Sequence, residues 1–274
     1  MRWVIQTNLY SEAGYEKLLE ALSRREIPYT LVKFIPFTHR LIDPNTNLTL
    51  FEDESQIPEV QLDASENIMA CGSTLLAKVA QERGWKPGSF WNENFDYAKF
   101  VEHWGENLLN FHCILAPLGE IQPHWVGDMF VRPAGDGKAF SGMTCHTSEF
   151  DYWRKDLLSQ GRDLAWLSPE TPTVIAPVAE INAEYRFFVV EGRIITGSMY
   201  KLGRTVITDE FYPPYIREFA EAMIKMWEPA RAFVIDIAET PDGPKVIEIN
   251  NFNQSGFYAC DMGKIVEAVE MMEF

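Results

Sequence analysis

Asp236 and Glu248 stand on either side of Pro241-Asp242-Gly243, and the runs flanking that triplet, 233–237 and 246–249, are mostly apolar. The segment reads as a β-hairpin. Proline presets φ, aspartate favours a turn, and Gly243 suits a left-handed bulge position, so a three-residue loop is expected. Thr240 then pairs with Pro244, Asp236 with Glu248, and Val234 with Asn250. Directly opposed side chains lie about 4.5–5.5 Å apart, and like charges there repel. A divalent cation between them removes the repulsion, and hard oxygen ligands at that spacing suit magnesium. The competing reading is a surface hairpin whose acids face water; the apolar flanks favour a buried one.

Three further segments carry residues suited to chemistry. In the first, a strand candidate brings Arg132-Pro133 to a loop, 134–142, with glycines at 135, 137 and 142. Such a loop lets backbone N–H groups approach phosphate oxygens. Arg132 adds a fork-shaped donor and Lys138 a point charge. The spacing fits neither a Walker loop nor a dinucleotide fingerprint, and an ordinary hairpin tip is the alternative. In the second, a short apolar strand runs into Ala176-Pro177-Val178-Ala179-Glu180, whose free backbone groups could read an adenine edge. Glu184 and Arg186 follow on a strand and project to one face. A two-residue turn at Glu191-Gly192 sets Arg186 opposite Gly197; a surface ion-pair face is the alternative. In the third, Asn250 shares a strand face with Glu248, and Asn251, Asn253, Gln254 and Ser255 follow. That polarity is costly after a buried strand unless it binds something, the alternative being an asparagine-rich turn.

Elements to position these residues are readable along the chain. Strands are expected at 2–7, 29–34, 48–51, 113–116, 125–132, 174–177, 184–190, 193–200 and in the hairpin 232–250. Helices are expected at 11–25 (Ser11 as N-cap, Tyr15, Leu18, Leu19 and Leu22 as the apolar stripe), within 68–83, and at 97–109, 149–158, 215–227 and 263–271. The mixture is α/β at the start and α+β afterwards.

The chain has 274 residues, 46% hydrophobic, enough for a sizeable core in one or two domains. No run of about 18 apolar residues exists, so no membrane span is expected. The N-terminus lacks a signal-peptide pattern, and a cytoplasmic location is expected. The net charge of −16 opposes broad contact with a phosphate backbone, while leaving open nucleic acid at a local basic cleft. Cys71, Cys113, Cys145 and Cys260 form no CxxC, so neither a disulfide framework nor structural zinc is expected.

The order of the segments resembles the ATP-grasp superfamily over roughly residues 96–258. The resemblance is most specific at Asp236…Glu248-Ile249-Asn250, where the family holds its magnesium ions. It implies an ATP-grasp domain at 96–274 behind a Rossmann-like N-terminal unit at 1–95. It implies that Arg132 and Lys138 meet phosphates, that Ala176, Pro177, Val178 and Glu180 meet adenine, and that Glu184 meets the ribose. Arg186 and Lys201 then hold the transferring phosphoryl group. Arginine stands at 132 where lysine is usual, which is similar to a clade associated with phages and bacteria. Lys99 is the candidate for the family's first lysine. The implied activity is an ATP- and Mg2+-dependent carboxylate–amine ligase working through an acyl-phosphate, on small-molecule or peptide substrates. The alternatives are a phosphotransferase of the same fold, a nucleotide-binding protein without turnover, and, with least support, a two-carboxylate hydrolase. Substrate identity and oligomeric state stay open.

Overall fold

The computed structural model describes residues 1–7, 13–35, 38–50, 53–63, 65–135, 139–160 and 167–274. The chain begins with β1 (Arg2–Gln6), α1 (Ala13–Arg24), β2 (Tyr29–Phe34), β3 (Leu41–Ile42), β4 (Ile68–Cys71), α2 (Thr74–Glu82) and β5 (Pro87–Gly88). These strands form one sheet in the order β3-β2-β1-β4-β5, parallel except for β3. The expected stripe on α1 is real at its centre, since Leu18 and Leu22 are fully buried. The proposed cap Ser11 lies outside the described residues.

One expectation in this part fails. Residues 48–50 form a short 3-10 turn, not a strand, and the strand beside β2 is β3. The cause is local: Asn47 Oδ1 accepts from Thr49 N at 3.1 Å and from Thr49 Oγ1 at 2.8 Å. Such side-chain bonds compete with a strand's backbone ladder.

Next come α3 (Tyr97–Trp104), β6 (Ile114–Pro117), β7 (Asp128–Pro133), β8 (Met143–His146), α4 (Phe150–Gln160) and β9 (Pro172–Pro177). Asp96 starts α3 by accepting from Ala98 N at 2.9 Å. The four strands pair as β6-β9-β7-β8. The remainder is β10 (Ala183–Val190), β11 (Arg193–Leu202), β12 (Thr205–Asp209), α5 (Pro214–Met226), β13 (Ala232–Thr240), β14 (Gly243–Asn251) and α6 (Met262–Glu270). Its antiparallel sheet has the order β12-β11-β10-β13-β14. Strands β8 and β12 carry no pattern that announces them; every residue of β12 is exposed.

Strands β10 and β13 are covered on both faces, which explains their almost unbroken apolar runs. On one side Phe187, Val189, Phe233 and Ile235 pack with Tyr97, Phe100 and Trp104 of α3 and with Ile216 and Ala220 of α5. On the other, Phe188, Val190 and Val234 pack with Ile265 and Val269 of α6 and with Trp3, Leu18 and Leu22. The N-terminal sheet and the last sheet therefore share a core. Within this apolar layer Glu184, Arg186 and Asp236 are the charged side chains, and all three are buried.

Candidate active site

Buried charges must find partners, and strand register supplies them. Arg186 lies opposite Asp236 across β10 and β13, and Asp236 lies opposite Glu248 across β13 and β14. A row of three ionised groups thus crosses three strands. Arg186 Nε donates to Asp236 Oδ1 at 2.9 Å and Nη2 to Oδ2 at 2.8 Å, a bidentate pair. Its Nη1 donates to the Gly256 carbonyl at 3.1 Å. The guanidinium also lies 4.9 Å from the Tyr258 ring centre and 5.5 Å from that of Tyr200, and these two rings stack at 4.8 Å. Aromatic faces stabilise a desolvated cation.

Glu248 has its own cation: Arg132 Nη1, at the end of β7, donates to its Oε2. Asn250 joins the two acids, its Nδ2 donating to Asp236 Oδ2 and to Glu248 Oε1, each at 3.1 Å. A third ion pair lies alongside, between Lys201 and Glu184, with Tyr200 OH donating to Glu184 Oε2 at 2.7 Å. Arg132, Gly135, Arg186, Glu248, Asn250 and Gln254 line an open cleft of about 530 Å³.

The two acids are driven apart in acidity. Burial pushes the Asp236 carboxyl above its ordinary value; Arg186 opposes this, while Glu248 and Glu184 reinforce it. Burial also acts to raise Glu248, but the charge of Arg132 and the Asn250 amide hold it below the ordinary value. Two adjacent carboxylates offer oxygen ligands of the kind that suits magnesium, and Asn250, whose Nδ2 faces both acids, joins the set once its amide turns to present Oδ1. The part of the Asp236 rise that Glu248 and Glu184 add to burial is what a divalent cation would relieve, so the residues fit such an ion. No group of three His, Cys, Asp or Glu side chains placed to hold a metal exists among the described residues. The third donor here is an amide.

Residues 71–269 match a family described as ATP-grasp domain, R2K clade family 3. The chain belongs to that family. A comparison with curated proteins finds no match. Among solved structures, the fold resembles D-cycloserine synthetase DcsG, with a TM-score of 0.62, 10% identity, and 98% of each chain covered. It also resembles D-alanine–D-alanine ligase from Bacillus anthracis, with a TM-score of 0.56, 11% identity, and 98% of this chain and 92% of that one covered. The ATP-grasp ligase PsnB complexed with minimal precursor gives a TM-score of 0.54 at 12% identity, covering 98% and 97%. At such identities the likeness is one of fold.

In this ATP-grasp protein several expected residues sit differently from their sequence reading. A bulge between Phe188 and Val189 shifts β11 by one residue, so Arg186 faces Ser198 and Gly197 faces Phe187. The missing side chain at 197 makes room for the Phe187 ring, not for Arg186. Ala176 and Pro177 are still paired with β7, and Val178 N donates to Asp128 O at 3.2 Å, so free backbone begins only after Val178. Val178 and Glu180 are exposed. Residues 176–180, Glu184 and Lys201 are not among those lining the cleft. Lys138 lies outside the described residues.

The amides after Asn250 divide in two. Asn250 and Gln254 line the cleft, as do Asn251 and Ser255, which also brace the loop. Asn253 is structural: its Nδ2 donates to Ala70 O and its Oδ1 accepts from Phe90 N at 2.9 Å. Asn251 Oδ1 accepts from Asn253 N at 2.7 Å, and Ser255 Oγ donates to Asn251 O at 2.7 Å. Sequence reasoning missed Tyr200 and Tyr258. Alternation from Ser198 places Tyr200 on the Arg186 face once the register is right. Tyr258 carries no local signal, because its φ of +48° is one that aromatic residues rarely adopt.

Proposed function

We propose that this protein is an ATP-dependent carboxylate–amine ligase working through an acyl-phosphate. The observation that carries this reading is the buried Asp236 opposite Glu248, bridged by Asn250, with Glu248, Asn250, Arg132 and Arg186 lining one cleft. A carboxylate oxygen of the acid attacks the γ-phosphorus of ATP, and the bond to the bridging oxygen breaks, releasing ADP. The amine then attacks the acyl carbon, phosphate leaves, and the amine gives up its proton.

The guanidinium donors of Arg132 and Arg186 stabilise the charge spread over the transferring group. Lys201 adds charge at the nucleotide end, where Glu184 meets the ribose. Ala176, Pro177, Val178 and Glu180 hold the adenine, and the 134–142 loop with Lys138 covers the phosphates and excludes water. A magnesium ion held by Asp236, Glu248 and Asn250 would supply charge neutralisation as ADP departs. The similar folds include D-cycloserine synthetase, D-alanine–D-alanine ligase and a ligase seen with its minimal precursor. That range supports small molecules or peptides as the acid and amine.

The experiment uses purified protein, MgATP, and pools of amino acids and short peptides, with 18O in the acid carboxylates. ADP with one label per turnover in the released phosphate supports the reading. AMP with pyrophosphate, or unlabelled phosphate beside an amide product, removes it. A phosphorylated product that accumulates in the presence of amines makes the protein a phosphotransferase instead.

A further inference from the structure

Gln254 follows β14 and lines the cleft with Asn250 and Arg186. Its Oε1 accepts from Thr74 Oγ1, on the first residue of α2, at 3.0 Å. With the oxygen on that hydroxyl, the nitrogen is turned away from Thr74. The nitrogen, Nε2, is shielded from solvent and has no hydrogen-bond partner among the described residues. Its neighbours behave otherwise. The Asn250 amide serves two carboxylates, Asn251 Nδ2 donates to Ser89 Oγ at 3.4 Å, and Asn253 Nδ2 reaches Ala70 O. A shielded donor left unmade destabilises the fold, and an apolar side chain of the same size would avoid that cost. The missing partner is an acceptor oxygen that the described residues do not supply.

Two kinds of oxygen could come to this point, a phosphate oxygen of the nucleotide or an oxygen of the acid. The cationic donors Arg132 and Arg186 already face the cleft and match phosphate charge. Gln254 is neutral and is fastened to α2 of the N-terminal sheet. The linker 176–180 and Glu184, assigned above to the base and ribose, lie outside the cleft lining to which Gln254 belongs. We propose that Gln254 Nε2 donates to a carboxylate or carbonyl oxygen of the acid substrate and so helps select it. This rests on the ligase reading. A site built to hydrogen-bond an oxygen rejects analogues that lack it, because the buried donor is then left unpaired.

The test is NMR of full-length protein with 15N in its glutamine side chains, the Gln254 signal being assigned by its loss in Gln254→Leu. Acetate is the carboxylate probe, and magnesium with the non-hydrolysable analogue AMPPNP is the nucleotide probe. The Gln254 amide signals should hold nearly still on adding Mg–AMPPNP and move on adding acetate. Movement with Mg–AMPPNP and none with acetate gives the donor to a phosphate and overturns the proposal. Stillness under both overturns it too. Calorimetry of Mg–AMPPNP on the same sample reports separately on the ligase reading: absent heat with an acetate response leaves the donor and removes the nucleotide. The empty protein supplies a second check. Gln254→Leu should melt no lower than Thr74→Val, which breaks the same hydroxyl–carboxamide bond. A lower melt would mean that Nε2 has a partner within the protein. With an identified acid, Gln254→Leu should raise its KM about tenfold and leave the KM for ATP unchanged.

Discussion

Asp236 faces Glu248 because two irregularities in one hairpin cancel. The turn closes at Thr240 and Gly243, with Gly243 at φ +102°, and is one residue shorter than a three-residue loop. Regular pairing outward from there would set Ile247 opposite Asp236. A bulge between Ile237 and Asp236 absorbs Ile247 and returns Glu248 to the facing position. One residue of slip would otherwise turn Glu248 away, since side chains alternate faces.

Asp236 and Glu248 should differ in how much stability they carry. Asp236→Ala strands the buried Arg186 guanidinium, which costs about 3–5 kcal/mol. Glu248→Gln keeps an acceptor for the partly buried Arg132 and costs less, about 1–2 kcal/mol. Urea unfolding of both variants measures the difference, and equal losses would contradict the anchoring role of Asp236. On the ligase reading both variants lose turnover.

Gly197→Ala should be destabilising out of proportion to its size. An added Cβ would stand 2.6 Å from Phe187 Cε1, inside contact distance, within a packed core. Overpacking of this kind costs about 1–3 kcal/mol. Thermal melts should show the loss, and Phe187→Leu in the same chain should return part of it. An unchanged melting temperature would place the Phe187 ring elsewhere.

Asn253→Ala removes the acceptor for Phe90 N and the donor to Ala70 O. Two buried backbone groups are left unmatched, at about 1–3 kcal/mol each. Amide exchange at Phe90 should quicken while that of β13 falls only with global stability. Unaltered protection at Phe90 would mean the bond is not a stable one.

Alkaline pH should report on Tyr215. Its hydrogen bond to Glu239, aided by burial and by the charge of that carboxylate, raises it from 10.0 to about 12. The folded value lies above the unfolded one, so the contribution is fully present below about pH 10 and is lost as pH rises toward about 12. Ultraviolet titration of the phenolates should lose a late step in Tyr215→Phe. Amplitude lost near pH 10 with the late step kept would show that Tyr215 titrates with the ordinary tyrosines.

What could be read from the amino acids was whatever a strand's own pattern determines. The double-covered β10 and β13 announce themselves as apolar runs, and the Asp236–Glu248 opposition follows from the turn chemistry, although by a different count of residues. The bulge at Phe188–Val189 was not legible, because it is set by how β10 packs on its neighbours. Asn253 looked like part of a binding loop because its partners, Ala70 and Phe90, lie far back in the chain. Residues 48–50 looked like a strand because the capping by Asn47 is a side-chain event that hydrophobic patterning does not register.

The pairing of each cleft cation with its own carboxylate has a kinetic consequence. Arg132 with Glu248 and Arg186 with Asp236 leave the described lining of the cleft close to neutral in a chain of net charge −16. Among the described residues a polyanion diffusing inward meets no unpaired cation in the cleft lining to set against the long-range repulsion. Added salt screens that repulsion beyond about 10 Å at 0.1 M while barely touching the buried pairs. Capture of a polyanion should therefore quicken as ionic strength rises, the reverse of a site approached through a positive funnel.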